Sequence, residues 1–318
     1  MEKYLLKNEF QEITILNYGA TIYKWITFKD KLNIVISNEN LNDYLDSNNG
    51  FLSSTIGRYA NRIKAGKFTL NDKVYNLETN FPGNNHGHGG NNGFHTKKFE
   101  VVSKNETKIT LKYLSKHLEA GFPGNLELFV TYELINQEML LTFEAVSSED
   151  TILNITNHAY FNLSLEENIL NHTLKATSNK VLKTDNYLVP TGEIINTNNT
   201  ILDLRNEQVL KEIILNQEVL NKSDGLDHAF LFNDKKEITL KSGSKTLTIT
   251  TSYPGVQIYT MQNKLNQKIL NRKYQKYLGI AFEPQFEPDA INHPNFSNVI
   301  LKKGDKYHHF IKYSLFED

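Results

Sequence analysis

The chain has 318 residues, 35 of them Lys or Arg and 36 Asp or Glu, for a formal charge of −1 with histidine neutral. That balance provides no net field for polyphosphate or anionic lipid, so neither nucleic acid nor a membrane surface is an expected partner. Cysteine is absent, which excludes disulfides, thiolate metal sites and a cysteine nucleophile, and fits a reducing compartment. No apolar run approaches the ~20 residues of a membrane span, and charge interrupts residues 1–9 before a signal-peptide core could form. A cytoplasmic, soluble chain is the expectation.

Along the chain, period-2 alternation outweighs helical period. Residues 13–16 and 22–28 read as the first strands, and Phe68-Thr69-Leu70 with Val74-Tyr75 reads as a hairpin across Asn71-Asp72-Lys73. Ile109, Leu111 and Tyr113, then Leu128, Val130, Tyr132 and Leu134, put alternate side chains on one face, and residues 140–146 continue the pattern. The best helical window is 206–220, where Val209, Leu210, Ile213, Ile214 and Leu220 form a partial stripe. Residues 238–240 and 247–249 pair across Lys241-Ser242-Gly243-Ser244. Many short β-branched and aromatic strands with turn signals between them predict an all-β fold, a large antiparallel β-sandwich with little helix. With no repeat, low-complexity tract or linker, residues 1–318 read as a single domain.

Four clusters do not look like ordinary strand or turn sequence. Gly57-Arg58-Tyr59-Ala60-Asn61-Arg62-Ile63 is followed by Asn85-His86-Gly87-His88-Gly89-Gly90, whose glycines allow close backbone approach to a ligand. The plain alternative is two solvated arginines and a flexible loop. His86, His88 and His95 could be read as zinc ligands, but structural zinc favours four fixed ligands and no cysteine is present, so no metal is expected. Thr156-Asn157-His158-Ala159-Tyr160-Phe161-Asn162-Leu163 places an imidazole, the side chain best matched to proton transfer at neutral pH, among apolar neighbours. A hydrogen-bonded core histidine is the alternative there. Gly225-Leu226-Asp227-His228 offers a carboxylate or merely an exposed turn. In Ile280-Ala281-Phe282-Glu283-Pro284-Gln285, leading to Pro288-Asp289-Ala290, a glutamate ends an apolar run. Partial desolvation there raises its pKa and makes it a better base, whereas an exposed strand end would leave it ordinary.

Taken together these clusters, with Val189-Pro190-Thr191-Gly192-Glu193-Ile194 and Pro254-Gly255-Val256-Gln257, make seven motifs in one order. In that order the chain resembles the aldose 1-epimerase (galactose mutarotase) family from about Tyr18 to Phe316. The resemblance implies a β-supersandwich with a sugar cleft on one open face. It implies that Asn61, Arg62, His88, Asp227 and Gln257 hold sugar hydroxyls, that Glu283 acts as general base and that His158 acts as general acid. Three departures bear on loop shape and sugar preference: Met261 after Tyr259-Thr260, Leu165 after Leu163-Ser164, and Gly87 where an apolar residue usually precedes the histidine.

The reaction so implied opens a pyranose by protonating the ring oxygen while the anomeric hydroxyl loses its proton, then recloses it on the other face. No electron, phosphate or acyl group moves, so no cofactor is expected, and the expected partner is a free aldohexose such as galactose or glucose. Tyr160 or Phe161 offers an apolar platform for the sugar, with core packing as the ordinary alternative. A non-catalytic carbohydrate-binding protein of the same fold is the rival from another class. A glycoside hydrolase using Asp227 and Glu283 is another, and an epimerase of phosphorylated hexoses would need extra cationic residues at the site. Sugar preference and oligomeric state are not legible in the pattern.

Overall fold

The computed structural model describes residues 1–46 and 50–317, and two large antiparallel sheets dominate it. The longer sheet runs, in spatial order, Gln208–Val209, Thr173–Ala176, Glu237–Ser242, Lys245–Thr251, Lys306–Glu317, Glu138–Ser147, Leu126–Ile135, Lys108–Ser115 and Glu100–Lys104. Its register follows the expected alternation. Ile109 faces Tyr132, Tyr132 faces Leu141 and Leu141 faces Ile311, a row of fully buried side chains that a one-residue slip would turn toward solvent.

The second sheet runs Tyr160–Phe161, Ile280–Gln285, Gly255–Thr260, Asp227–Leu231, Lys180–Thr184 and Pro190–Asn196. One of its faces carries Phe230, Val256, Ile258 and Phe282 into the same core as the longer sheet. Ring contacts join the layers: Trp25 meets Tyr313 at 5.9 Å and Phe161 at 6.2 Å between centroids, both edge-on, and Phe161 meets Tyr313 at 5.6 Å in a tilted pair. Such pairs add about 0.5–1.5 kcal/mol each beyond the area they bury. Because side chains alternate along a strand, the opposite face of this sheet receives Asp227, Gln257, Tyr259 and Glu283. That face is where the site lies.

Two connections are tighter than the sequence suggested. Asn71 and Asp72 alone form the first hairpin turn, both at positive φ (49° and 59°), and Lys73 already belongs to the strand Lys73–Asn76. Gly243-Ser244 forms the other turn, so Lys241 and Ser242 extend the preceding strand. The helical window breaks in two. Val209 pairs as a strand residue, Leu210–Ile214 forms one turn and a half, and Asn216 caps a second helix, Gln217–Ser223, by accepting from the Glu218 N–H at 2.9 Å. Val219, rather than Leu220, is the fully buried residue of that second helix, because the break at Leu215 rotates its apolar face. Among the described residues no helix is long and apolar enough to cross a membrane.

Candidate active site

Glu283 lies within the strand Ile280–Gln285, not at its end, and is 1% exposed. Strand register then brings in two more of the nominated side chains. Gln257 sits directly opposite Glu283, while Asp227 sits opposite Tyr259, two residues further along the same face. Gln257 Nε2 donates a short hydrogen bond to Asp227 Oδ1, so that diagonal pair is already engaged. Pro284 fits because the neighbouring strand Tyr160–Phe161 reaches only Ala281 and Ile280, and so offers no ladder bond at the proline.

His158 comes from a different part of the chain, between the two-residue strands Thr156–Asn157 and Tyr160–Phe161. Its N–H donates to the Ser54 carbonyl and its carbonyl accepts from the Ser53 N–H, both at 3.0 Å, which fixes its backbone. The imidazole is flanked by Tyr160 at 4.9 Å and Phe51 at 5.7 Å between ring centroids. Its Nε2 lies 3.4 Å from Glu283 Oε1.

The first cluster supplies the remaining wall. Arg62 pairs with Gly87 across the strands Arg62–Ile63 and His86–Gly87, which carries His88 alongside Asn61. The His88 N–H donates to the Asn61 carbonyl at 2.9 Å, and the Asn61 N–H donates to His88 Nδ1 at 3.3 Å. With Nδ1 accepting, the ring proton of His88 sits on Nε2, so this nitrogen is a donor. The turn needs glycine after His88: a Cβ on Gly89 would lie 1.9 Å from the Gly57 carbonyl oxygen. Arg62 Nη1 donates to Asn61 Oδ1 at 3.1 Å, and Nη2 stands 3.5 Å from Asp227 Oδ2.

All seven nominated residues therefore line one cavity of about 420 Å³. Sequence reasoning missed Phe51, Phe81 and Leu265 among its lining residues, and weighed Tyr160 and Met261 without assigning them to it. Tyr160 faces the cavity, whereas Phe161 packs in the core with Trp25 and Tyr313. Of the three departures, Met261 borders the cavity, Gly87 supports its rim through Phe81, and Leu165 is 87% exposed and does not line it.

Arg58 departs from the alternative of two solvated arginines. It is 2% exposed, donating to Ser115 Oγ and to the carbonyls of Ser115, Lys116, Pro123 and Gly124 at 2.7–2.9 Å. Burial lowers its pKa to about 10, against the opposing pull of Glu119. It is a structural cross-link. The three histidines weighed as zinc ligands also fail to converge: His86 Nδ1 lies 2.7 Å from the Glu78 carbonyl. Among the described residues, the ligand-type atoms that do gather, within 4.8 Å of one another, belong to His88, His158 and Glu283.

Electrostatics sets the pair's protonation. Burial lowers the His158 pKa to about 4, a backbone hydrogen bond opposes the shift and His95 adds to it. Burial raises Glu283 well above the usual carboxylate value, Asp227 raises it further, and Arg62 opposes. Glu283 Oε2 has no hydrogen-bond partner among the described residues, so little stabilises the anion. Both shifts favour the uncharged form of each partner, a protonated Glu283 carboxyl and a neutral imidazole. His88 is likewise held neutral, first by burial and then by His158 and Arg62.

An imidazole 3.4 Å from a carboxyl, with carboxylate, amide, guanidinium and imidazole groups lining the same cavity, is an arrangement suited to proton transfer on a polyhydroxylated ligand. The family model for aldose 1-epimerase matches residues 2–314. The chain is 33% identical to the galactose mutarotase of Bos taurus, covering 97% of this chain and 92% of that one. It is 30% identical to the aldose 1-epimerase of Haemophilus influenzae over 97% and 94%. A solved aldose epimerase homologue from C. elegans superposes with a TM-score of 0.90 at 26% identity, covering 99% of each chain. The galactose 1-epimerase of Lactobacillus acidophilus does so at 0.88 and 28%, covering 99% and 94%. The chain belongs to the aldose 1-epimerase family and is an isomerase.

Proposed function

We propose that this chain interconverts the α and β anomers of a free aldohexose, with Glu283 as base and His158 as acid. The observation that carries the reading is the 3.4 Å separation of His158 Nε2 and Glu283 Oε1 inside the cavity. Both oxygens that exchange protons, the ring oxygen and the anomeric hydroxyl, are bonded to one carbon. An acid and a base that stand close together can therefore serve both.

Ring opening requires Glu283 ionised and His158 protonated. Glu283 takes the anomeric hydroxyl proton, His158 gives one to the ring oxygen, and the bond between the anomeric carbon and the ring oxygen breaks to leave an aldehyde. The pair is then neutral, the state that burial favours. Rotation next to the aldehyde carbon presents its other face. His158 now takes the proton of the hydroxyl formed from the ring oxygen, that oxygen attacks the aldehyde carbon, and Glu283 returns a proton to the carbonyl oxygen. The ion-paired form that starts the cycle differs from the resting form by the position of one proton, across a gap of 3.4 Å.

Asn61, Arg62, His88, Asp227 and Gln257 hold the hydroxyls. Arg62 and His88 Nε2 donate, Asp227 accepts, and a misplaced epimer leaves one of these groups unpaired. The fold acts as one domain, in a cytoplasmic setting, on a small-molecule sugar. The carbohydrate-binding and hydrolase alternatives draw no support from the matched relatives, whose names are those of mutarotases and epimerases. Polarimetry on freshly dissolved α-galactose and α-glucose tests the proposal: decay toward equilibrium rotation should exceed the spontaneous rate for at least one sugar. Release of reducing sugar from an aryl glycoside without such acceleration would instead favour the hydrolase.

A further inference from the structure

Phe81 and Gly87 meet in a way that the hydroxyl-binding set does not account for. A Cβ on Gly87 would lie 2.4 Å from Cδ1 and from Cγ of Phe81, so the ring occupies the volume that any side chain at position 87 needs. Asn80 locks this approach: its Nδ2 donates to the Gly87 carbonyl at 3.0 Å and its Oδ1 accepts from the Gly87 N–H at 2.8 Å. The Phe81 backbone is held in turn by Asn85, with the Phe81 N–H donating at 2.9 Å and its carbonyl accepting at 3.3 Å.

So seated, the ring borders the cavity and touches three of its walls. The Arg62 guanidinium carbon lies 5.3 Å from its centroid. His88 stands edge-on at 5.5 Å, and Phe51 lies at 6.5 Å. Arg62 has few other restraints: one hydrogen bond to Asn61 and the 3.5 Å approach to Asp227. A guanidinium recognises hydroxyls as a rigid fork, and an aromatic face beneath it limits the rotamers that it must give up on binding.

We propose that Phe81 is a positioning residue of the sugar site: its ring holds Arg62 toward Asp227 and walls the cavity beside His88, and glycine at position 87 is what admits it. This deepens the reading above and rests on it, since it takes the ligand to be an aldose held by Arg62, His88 and Asp227. Phe81 is not assigned to proton transfer, so its effect falls on sugar affinity.

The test compares Phe81→Ala, Phe81→Tyr, Gly87→Ala and the Phe81→Ala/Gly87→Ala double variant. KM and kcat are read by polarimetry, sugar Kd by calorimetry and folding by thermal melt. Phe81→Ala should raise both KM and Kd by roughly 3- to 30-fold, the range of a partly desolvated cation–π contact, with kcat within about threefold of wild type. Phe81→Tyr, which keeps the ring, should restore both. Gly87→Ala should displace the ring and copy the Phe81→Ala affinity, and the double variant should be no weaker than the weaker single, because both changes remove one interaction. KM and Kd unchanged in Phe81→Ala, or losses that multiply in the double variant, overturn the proposal. Should Gly87→Ala fail to fold, the Ala and Tyr variants at position 81 decide alone. A wild type that binds aldoses without accelerating their mutarotation ends the catalytic reading while the Kd series still decides on Phe81. A wild type that binds no aldose ends both.

Discussion

Replacing Glu283 with glutamine separates catalysis from stability, because the structure makes opposite demands on that side chain. The change is nearly isosteric in a strand position that is 1% exposed, so packing and the register with Gln257 should persist. Turnover loses its base, and the general acid–base contribution of about 10²–10⁴-fold in kcat should go with it. Stability should move the other way. A carboxylate whose folded pKa is raised by burial and by Asp227 contributes stability that is fully present below its unfolded value of 4.5 and lost as pH rises through the folded value. Glutamine carries no such dependence. The melting temperature of Glu283→Gln minus that of wild type should therefore increase as pH is raised from the unfolded value of 4.5 toward the raised folded value. Polarimetry gives the first quantity and paired thermal melts across that range the second. A variant retaining more than about a tenth of wild-type kcat would refute the assignment of the base, and a melting difference independent of pH would refute the desolvation argument.

The pH–rate profile should be bell-shaped, since turnover needs one proton shared by His158 and Glu283. Its acid limb should lie near pH 4, where His158 gains a second proton for the pair, and its basic limb should reflect the raised Glu283, both values belonging to the pair. An acid limb at about 6.5, the ordinary histidine value, would contradict the burial assigned to the imidazole. Arg62→Ala should raise KM by roughly 10- to 100-fold, as expected for a lost hydrogen bond to a charged group, and lower kcat as well; steady-state polarimetry measures both. Arg58→Met should leave four backbone carbonyls without their donor and cost about 3 kcal/mol or more of unfolding free energy in urea. Its KM should stay at the wild-type value, because Arg58 does not border the cavity.

Much of the strand pattern, and all seven nominated residues that line the cavity, were legible in the sequence. Alternation such as Leu128, Val130, Tyr132 and Leu134 specifies which face of a strand is buried, because side chains on a pleated backbone alternate whatever its neighbours are. The ordered motifs named Asn61, Arg62, His88, His158, Asp227, Gln257 and Glu283, and the direction of the Glu283 shift followed from its apolar surroundings. Local pattern was weaker where competing signals were short, as at Asn216, whose capping side chain divides one apparent helical window into two helices. Convergence and depth came from the fold. No local rule states that Gln257 pairs with Glu283, that the loop holding His158 hooks onto Ser53 and Ser54, or that Phe81 fills the space above Gly87. These depend on contacts between distant segments. The same packing, by excluding water, shifts His158 down and Glu283 up from their ordinary values, since desolvation is a property of everything packed around a side chain and not of its neighbours in the chain.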